Sequence, residues 1–165
     1  MMVWDEKAQA LWKNAKIFAF AFLVAAPVTF IAIAYILDAK PKAGGEYDMV
    51  LYILLIVAAV QPLFGKFIAR FQINAYRKNP VTTIRGEQTR MTPGQLYINV
   101  LIIQMALVEA IYVYGLFQVI LTGEINRMFY FYPIGLAWSF VYWPKRSHFE
   151  NFVQKLESQY GQPGS

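Results

Sequence analysis

A single carboxyl group stands inside the longest apolar run of the chain, where it is the residue best placed to do chemistry. Glu109 is the only charged residue between Gln95 and Thr122. If this run crosses a membrane, insertion scales give a cost on the order of 2.5–3.5 kcal/mol for a charge at its centre. A residue with such a cost usually has a partner, holds a proton or serves a function. Glu109 is therefore the first candidate functional residue.

Two further polar residues are predicted to lie near Glu109. Gln61 falls at about the same depth on the preceding apolar run, which we expect to be an adjacent antiparallel helix. It precedes Pro62, which leaves a carbonyl one turn earlier without its usual donor. Tyr112 lies one turn from Glu109, so its hydroxyl could donate to the carboxylate. Glu109, Gln61 and Tyr112 are the predicted ion-binding residues, for a proton or a sodium ion.

Two interpretations of Glu109 stay open on physical grounds. Removal from water favours the neutral acid, which can release its proton only on meeting water or a cation, as in a membrane proton relay. Alternatively, the carboxyl is a polar pin that hydrogen-bonds across a helix interface and fixes the packing.

The composition indicates an integral membrane protein with an all-α fold. Of 165 residues, 58% are hydrophobic and 15% are charged, whereas soluble domains average about 25% charged residues. Roughly 20 apolar residues span a bilayer. Four apolar runs therefore predict four transmembrane helices in a single membrane domain, over residues 17–37, 49–69, 95–122 and 128–143.

Basic residues are distributed unevenly among the segments that join the runs. Twelve of the fifteen Lys and Arg residues precede the first run, lie between Gly65 and the third run, or follow the fourth, when Lys66 at the end of the second run is counted with the segment that follows it. By the positive-inside rule, this predicts an inner-membrane protein with both termini in the cytoplasm. The formal charge of +5 then faces anionic lipid headgroups, so nucleic acid is not an expected partner.

Several kinds of chemistry find no support in the sequence. The chain has no cysteine and one histidine, His148, which excludes thiol chemistry and a zinc or bis-histidine haem site built by this chain alone. The Ser and Thr hydroxyls have no nearby base. We therefore expect no enzyme activity, no cofactor and no metal.

Shorter signals predict what lies outside the spans. Apolar residues at helical spacing predict amphipathic interfacial helices over residues 3–15 and 145–160. The tail helix could rest on lipid or dock a partner.

Asn79-Pro80 indicates a helix boundary, and Thr92 followed by Pro93 predicts a capped helix start. Turn composition is found in the loop at 38–48.

Part of the chain resembles a known family. The segment Ala106-Leu107-Val108-Glu109-Ala110, followed by Tyr114-Gly115-Leu116, is similar to the second helix of the rotary ATPase c subunit, the proteolipid. Arg77-Lys78-Asn79-Pro80 resembles the polar loop of that family, and the likeness covers about residues 50–122. It implies that Glu109 binds a proton or sodium ion, that Gln61 is a supporting ligand, and that the protein forms a homo-oligomer or joins a larger complex. The third and fourth runs, with the tail, also look similar to uncharacterised bacterial four-span membrane proteins.

Three function classes are consistent with the sequence. The first is a proteolipid-like protein that binds or relays a proton or sodium ion through Glu109. The second is a non-catalytic structural or accessory subunit of a membrane complex, with Glu109 as a packing pin. The third is a small-molecule transporter.

Overall fold

The protein is built from helices and one short β-hairpin. The computed structural model describes residues 6–36, 46–84 and 87–160. The turn expected at Pro41 and Gly44-Gly45 and the tail at 161–165 lie outside the described residues. The helices are α1 (Glu6–Phe20), a π-helical segment (Ala21–Ala25), α2 (Ala26–Ile36), α3 (Glu46–Lys78), α4 (Pro93–Thr122), a 3-10 helix (Ile125–Tyr130), α5 (Tyr132–Tyr142) and α6 (Arg146–Tyr160); the strands are β1 (Val81–Ile84) and β2 (Glu87–Arg90).

Three helices are long and apolar enough to cross a membrane. They are Glu6–Ile36, Tyr47–Lys78 and Pro93–Thr122, with 31, 32 and 30 residues. Each exceeds the roughly 20 residues that a bilayer requires. The predicted helical fold is confirmed, and the membrane class is supported by these three membrane-capable helices in the described part of the chain.

The fourth apolar run does not form one long helix. Residues 128–143 begin inside the 3-10 helix and continue as α5, which has 11 residues and carries Pro133 in its first turn. An α-helix of that length is about 16 Å long, against a hydrocarbon core of about 30 Å. Of the four predicted spans, three correspond to long helices in the described part of the chain, and the fourth does not.

The predicted lead-in helix is continuous with the first long helix. No break separates residues 6–15 from the apolar run, and residues 3–5 lie outside the described part. Ala8, Ala15 and Ala19 are buried, and small side chains allow two helices to approach closely in a membrane. The N-terminal segment therefore packs against α4 as the first part of a long helix.

A π-helical segment in the first long helix precedes Pro27. The Ala26 N–H donates to the carbonyl of Ala21, five residues earlier. Because proline has no N–H, the turn before Pro27 loses one helical hydrogen bond, and a local change of helix type is one way to accommodate that loss. The Tyr132 hydroxyl donates to the Pro27 carbonyl at 2.7 Å, which connects the first helix to α5.

The loop between α3 and α4 contains a hairpin that the sequence did not predict. Strands β1 and β2 pair antiparallel from Val81 with Arg90 to Ile84 with Glu87. The Met91 N–H then donates to the Pro80 carbonyl at 2.7 Å. The all-α class holds, and this small hairpin was missed because strands of four residues give little periodicity to detect.

Both helix boundaries that the sequence indicated around this loop are confirmed. Helix α3 ends at Lys78, just before Asn79-Pro80. Thr92 caps α4 in a capping box with Gln95, and Pro93 occupies the first turn. These local signals act through side chains within three residues of the boundary, so they need no tertiary context.

Helix α4 is the centre of the fold. It contacts α1, α2, α3, α5 and α6. One narrow stripe of α4 is exposed and repeats every seven residues, which is one line along a helix. The stripe consists of Asn99, Ala106, Val113 and Ile120, and Phe117 beside it is also exposed.

Helix α6 covers the start of α4. Phe149, Val153 and Leu156 on α6 are all buried, and Leu156 clusters with Leu96 and Val100 of α4. The apolar stripe of the tail helix is therefore covered by the chain itself.

Candidate functional site

Glu109 lies on the flank of α4 beside its exposed stripe. It falls between a buried line that includes Met105, Val108 and Tyr112 and the exposed residues Ala106 and Val113, and it is itself partly exposed. With the residues that the structure describes, its carboxylate makes no hydrogen bond and no ion pair. Glu109 thus lies at the border between the buried and the exposed faces of α4.

Gln61 is bound to α4 on a different face. Its Nε2 donates to the Leu107 carbonyl at 3.0 Å, and its Oε1 accepts a short hydrogen bond from the Tyr114 hydroxyl. Tyr114 comes five positions after Glu109, which places it about 140° further round the helix. Both polar atoms of the Gln61 amide therefore have a hydrogen-bond partner on the side of α4 that faces α3.

Tyr112 points toward α5. Its side chain is fully buried, its hydroxyl lies 3.2 Å from the Ser139 Oγ, and its ring packs edge-on against Tyr132. A Cβ at Gly135 would lie 2.5 Å from the Tyr112 Cζ. Gly135 and Ser139 thus form a small-residue pair, four positions apart, which allows α5 to approach the ring closely.

The three predicted ion-binding residues have separate environments. Gln61 is bonded to α4 backbone and Tyr114, Tyr112 to Ser139, and Glu109 to no residue in the described ranges. Gln61 and Glu109 were expected to lie at the same depth. They do not meet, because Gln61 contacts the side of α4 that faces α3, whereas Glu109 lies on a different side of that helix. Ion binding at Glu109 stays a prediction.

Two tyrosines of α5 have a role that was missed from the sequence. The Tyr142 hydroxyl donates to the Pro62 carbonyl at 2.6 Å, and the Tyr132 hydroxyl donates to Pro27 as described above. Both interior prolines are therefore bonded to the same short helix. A signal existed, since a buried tyrosine hydroxyl needs a partner and carbonyls near an interior proline can supply one.

Gln118 was also missed, and it is the most unusual polar side chain of α4. It is fully buried, and neither its Oε1 nor its Nε2 has a hydrogen-bond partner among the described residues. Its backbone carbonyl accepts a hydrogen bond from the Thr122 Oγ1 at 2.8 Å. Buried amides are normally paired with protein or ordered water, so this one requires an explanation.

Charged groups cluster at the end of the bundle where α4 terminates. Arg127 Nε lies 2.7 Å from a Glu124 oxygen, and its Nη1 lies 2.7 Å from Asp48. The second contact is an ion pair without hydrogen-bond alignment. The Glu124 hydrogen bond raises the pKa of Arg127, with Asp48 adding to that rise and burial opposing it. A cavity of about 560 Å³ opens here, lined by Asp48, Leu51, Tyr52, Leu55, Glu124, Asn126, Arg127 and Tyr130.

Smaller cavities lie elsewhere among the described residues, and two of them contain polar side chains of α3 or α4. One of about 110 Å³ is lined in part by Gln104, Tyr142 and His148. The other, of about 210 Å³, includes Gln72 and Asn99. Within the described residues, no group of three or more acidic, histidine or cysteine side chains could hold a metal ion.

Comparison with family models, curated proteins and solved structures found no match. The resemblance to the rotary ATPase c subunit therefore depends on the motif around Glu109, and it stays a prediction. The described part of the chain is a helical protein with three membrane-capable helices and a partly exposed carboxyl group, Glu109, near the middle of the central one.

Proposed function

We propose that this protein is a non-catalytic integral membrane subunit that assembles with a partner helix through Glu109. One observation carries the proposal: Glu109 is partly exposed near the middle of α4 and has no partner among the described residues. An unpaired carboxyl in hydrocarbon is costly. A hydrogen-bond donor on a neighbouring transmembrane helix would offset that cost and hold the two helices together.

The surroundings of Glu109 support an assembly role. The exposed stripe beside it contains Ala106 and Val113, and small or β-branched side chains permit a second helix to pack closely. By contrast, the interior tyrosines and Gln61 already have partners within the chain. Glu109 is thus the polar group of the central helix that is most available to another molecule.

We further propose the topology that the charges indicate. The basic residues favour a cytoplasmic location for both termini and for the hairpin between α3 and α4. In this arrangement α5 is the fourth crossing, shortened and flanked by aromatic residues such as Trp143 and Tyr130. An inner membrane is the corresponding location.

A second candidate function, proton or sodium binding at Glu109, is favoured by the same free side chain. Because no described group is bonded to the carboxylate, it remains available to take up and release a proton. Neutral Glu109 is the form that hydrocarbon tolerates, so uptake and release would depend on contact with water or with a partner subunit.

Two substitutions separate the functions. We expect Glu109→Leu to dissociate the complex in native gels of mildly solubilised membranes, whereas Glu109→Gln retains hydrogen bonding and keeps the complex intact. Val113→Leu, on the same exposed side, is the control for a change in shape alone. An intact complex in Glu109→Leu would contradict assembly through this residue.

The ion-binding candidate has its own measurement. A protonated acid in a dry site reacts with carbodiimide, and bound sodium would protect it. Labelling of Glu109 with sodium protection, together with loss of ion flux in Glu109→Gln proteoliposomes while assembly is unchanged, would favour the ion-handling function over the structural one.

A further inference from the structure

A basic cavity lies where the first long helix meets α6. It has a volume of about 440 Å³ and is lined by Gln9, Trp12, Lys13, Lys16 and Arg146. Three of these five side chains are cationic, and they come from two helices that are far apart in the sequence. Small-molecule sites typically have volumes of about 300–1,000 Å³, so the cavity is large enough to hold a ligand. We call it the α1–α6 cavity.

Aromatic packing fixes the position of α6 beside α1. The centroid of the Trp12 ring lies 6.0 Å from that of the Phe149 ring, and Phe149 is fully buried. Arg146 comes one turn before Phe149 on α6. The contact between the two rings therefore holds Arg146 near the lysines of α1, so that three positive charges share one cavity.

The positive charge of the cavity is only partly offset. Neither Lys13 nor Lys16 forms an ion pair within the described residues. Arg146 Nε lies 3.1 Å from a Glu150 carboxylate oxygen, so one acid is set against three cations. Like charges that share a cavity repel one another, and a bound anion would relieve that repulsion. The lining therefore favours an anionic ligand.

The two lysines lie at the boundary between the polar and the apolar part of the same helix. Lys16 directly precedes the charge-free run that begins at Ile17. Lys13, Lys16 and Phe20 follow one another at helical spacing along one face of α1. Ile17 and Phe20 are 55% and 59% exposed. A ligand whose phosphate lies between the lysines thus has uncovered apolar surface beside it, one turn further into the apolar run.

We propose that the α1–α6 cavity binds the phosphate headgroup of an anionic phospholipid, whose acyl chains lie along Ile17 and Phe20. Basic pockets between membrane helices on the cytoplasmic side bind such headgroups in other proteins. A free phosphate compound would pair with the cations but leave the exposed apolar residues uncovered, so the lipid is favoured. The site rests on the proposed membrane location and topology of the chain, and it does not depend on Glu109.

The first test compares two double variants that each lose two positive charges. Delipidated protein in neutral detergent micelles is titrated with phosphatidylglycerol or phosphatidylcholine, and native mass spectrometry gives the dissociation constant of the first bound lipid. We expect Lys13→Gln with Lys16→Gln to weaken phosphatidylglycerol binding at least about tenfold, because two charges beside the phosphate are lost. The matched control, Lys66→Gln with Arg70→Gln, removes two exposed cations of α3 that do not line the cavity. It should weaken binding by less than about threefold.

Three outcomes would overturn the proposal. Equal affinities of the two double variants would show that only the net charge of the chain matters. Equal affinities of the unaltered chain for phosphatidylglycerol and phosphatidylcholine would show that the cavity does not select an anion. Binding of water-soluble glycerophosphoglycerol as tightly as phosphatidylglycerol would make the ligand a free phosphate compound and not a lipid.

Glu150→Gln is a test that a misfolded variant cannot imitate, because a gain is expected. It removes the acid beside Arg146, so phosphatidylglycerol should bind about threefold more tightly than to the unaltered chain. An unchanged or weaker affinity would overturn the assignment of Arg146 to the site.

A measurement on the unaltered chain in nanodiscs, which expose both membrane faces, completes the test. A water-soluble acetylating reagent modifies lysine amines, and peptide mass spectrometry follows each site. We expect phosphatidylglycerol, compared with phosphatidylcholine, to slow acetylation of Lys13 and Lys16 at least about threefold more than that of Lys66. Equal slowing at all three lysines would overturn this site alone. Extraction of the chain from liposomes by alkaline carbonate would overturn its membrane location, and with it both the proposed function and the lipid site.

Discussion

Polar residues on two sides of α4 differ in whether they have hydrogen-bond partners. On the side that faces α3, Gln61 is bonded to the Leu107 carbonyl and to Tyr114. On the flank with the exposed stripe, Glu109 has no partner in the described part of the chain. This contrast shows that a polar residue in a membrane helix is not functional by type alone. Paired inside the bundle, it fixes packing; unpaired at the edge, it is available for assembly or ion binding.

Helix α5 contacts a further polar residue on another side of α4. Its close approach at Gly135 directs Tyr112 toward Ser139, so Tyr112 is engaged with α5. Tyr132 and Tyr142 connect the same helix to Pro27 and Pro62. A short helix thus holds three longer ones, and it leaves one flank of α4 uncovered.

Displacement of α5 from α4 should cause the largest loss of stability. Gly135→Ala places a methyl group within 2.5 Å of the Tyr112 ring, so we expect a loss of about 2–3 kcal/mol in the free energy of unfolding. Tryptophan fluorescence during unfolding in mixed micelles measures it.

Gly65→Ala is the matched control for that substitution. There the nearest atoms lie 3.3 Å away, on the Gln104 side chain and the Tyr142 hydroxyl, so we expect a loss below about 1 kcal/mol. Equal losses at the two glycines would show that the Tyr112 contact does not limit the approach of α5.

The paired side of α4 is tested by Gln61→Leu. It removes two interhelical hydrogen bonds and leaves the Tyr114 hydroxyl without its partner, so we expect a loss of about 1–2 kcal/mol. A double-mutant cycle with Tyr114→Phe should give a coupling of about 0.6 kcal/mol, typical of membrane hydrogen bonds. Absence of coupling would argue against the Gln61–Tyr114 bond.

The charged end of the bundle should contribute less. Arg127→Gln removes both ion pairs, but Asp48 and Glu124 are about half exposed at 54% and 42%. Solvent screening then limits the expected loss to about 1 kcal/mol. The loss should shrink as salt is raised from about 0.05 to about 0.5 M; a salt-independent loss would indicate that packing of the Arg127 side chain matters more than its charge.

The smallest effect is expected on the unpaired flank. Glu109→Leu in the isolated chain should change the free energy of unfolding by less than about 0.5 kcal/mol, because no described group loses a hydrogen bond. The measurement is the same micelle unfolding assay, with Val113→Leu as the shape control. A loss above about 1 kcal/mol would mean that Glu109 is bonded within the chain, and the contrast between the two sides would fail.

Local chemistry was readable from the sequence. Thr92, Pro93 and Pro80 set the helix boundaries around the hairpin through contacts within a few residues. Long apolar runs made three helices recognisable, because spanning a bilayer demands length and hydrophobicity whatever the packing. The fourth run is not one long helix, because the chain changes there from a 3-10 helix, Ile125–Tyr130, to a short α-helix, and its crossing of the membrane stays a prediction.

The candidate site shows the limit of that information. Position along a helix gives depth, and depth correctly suggested that Gln61 lies against the middle of α4. Which way each residue faces depends on how neighbouring helices are rotated against one another, and that rotation is set by non-local contacts such as Gly135 on Tyr112. The amino-acid pattern therefore indicates a helical chain with membrane-capable helices and one carboxyl near the middle of the longest apolar run. The packing of the helices is what gives Gln61 and Tyr112 their other partners and leaves Glu109 partly exposed.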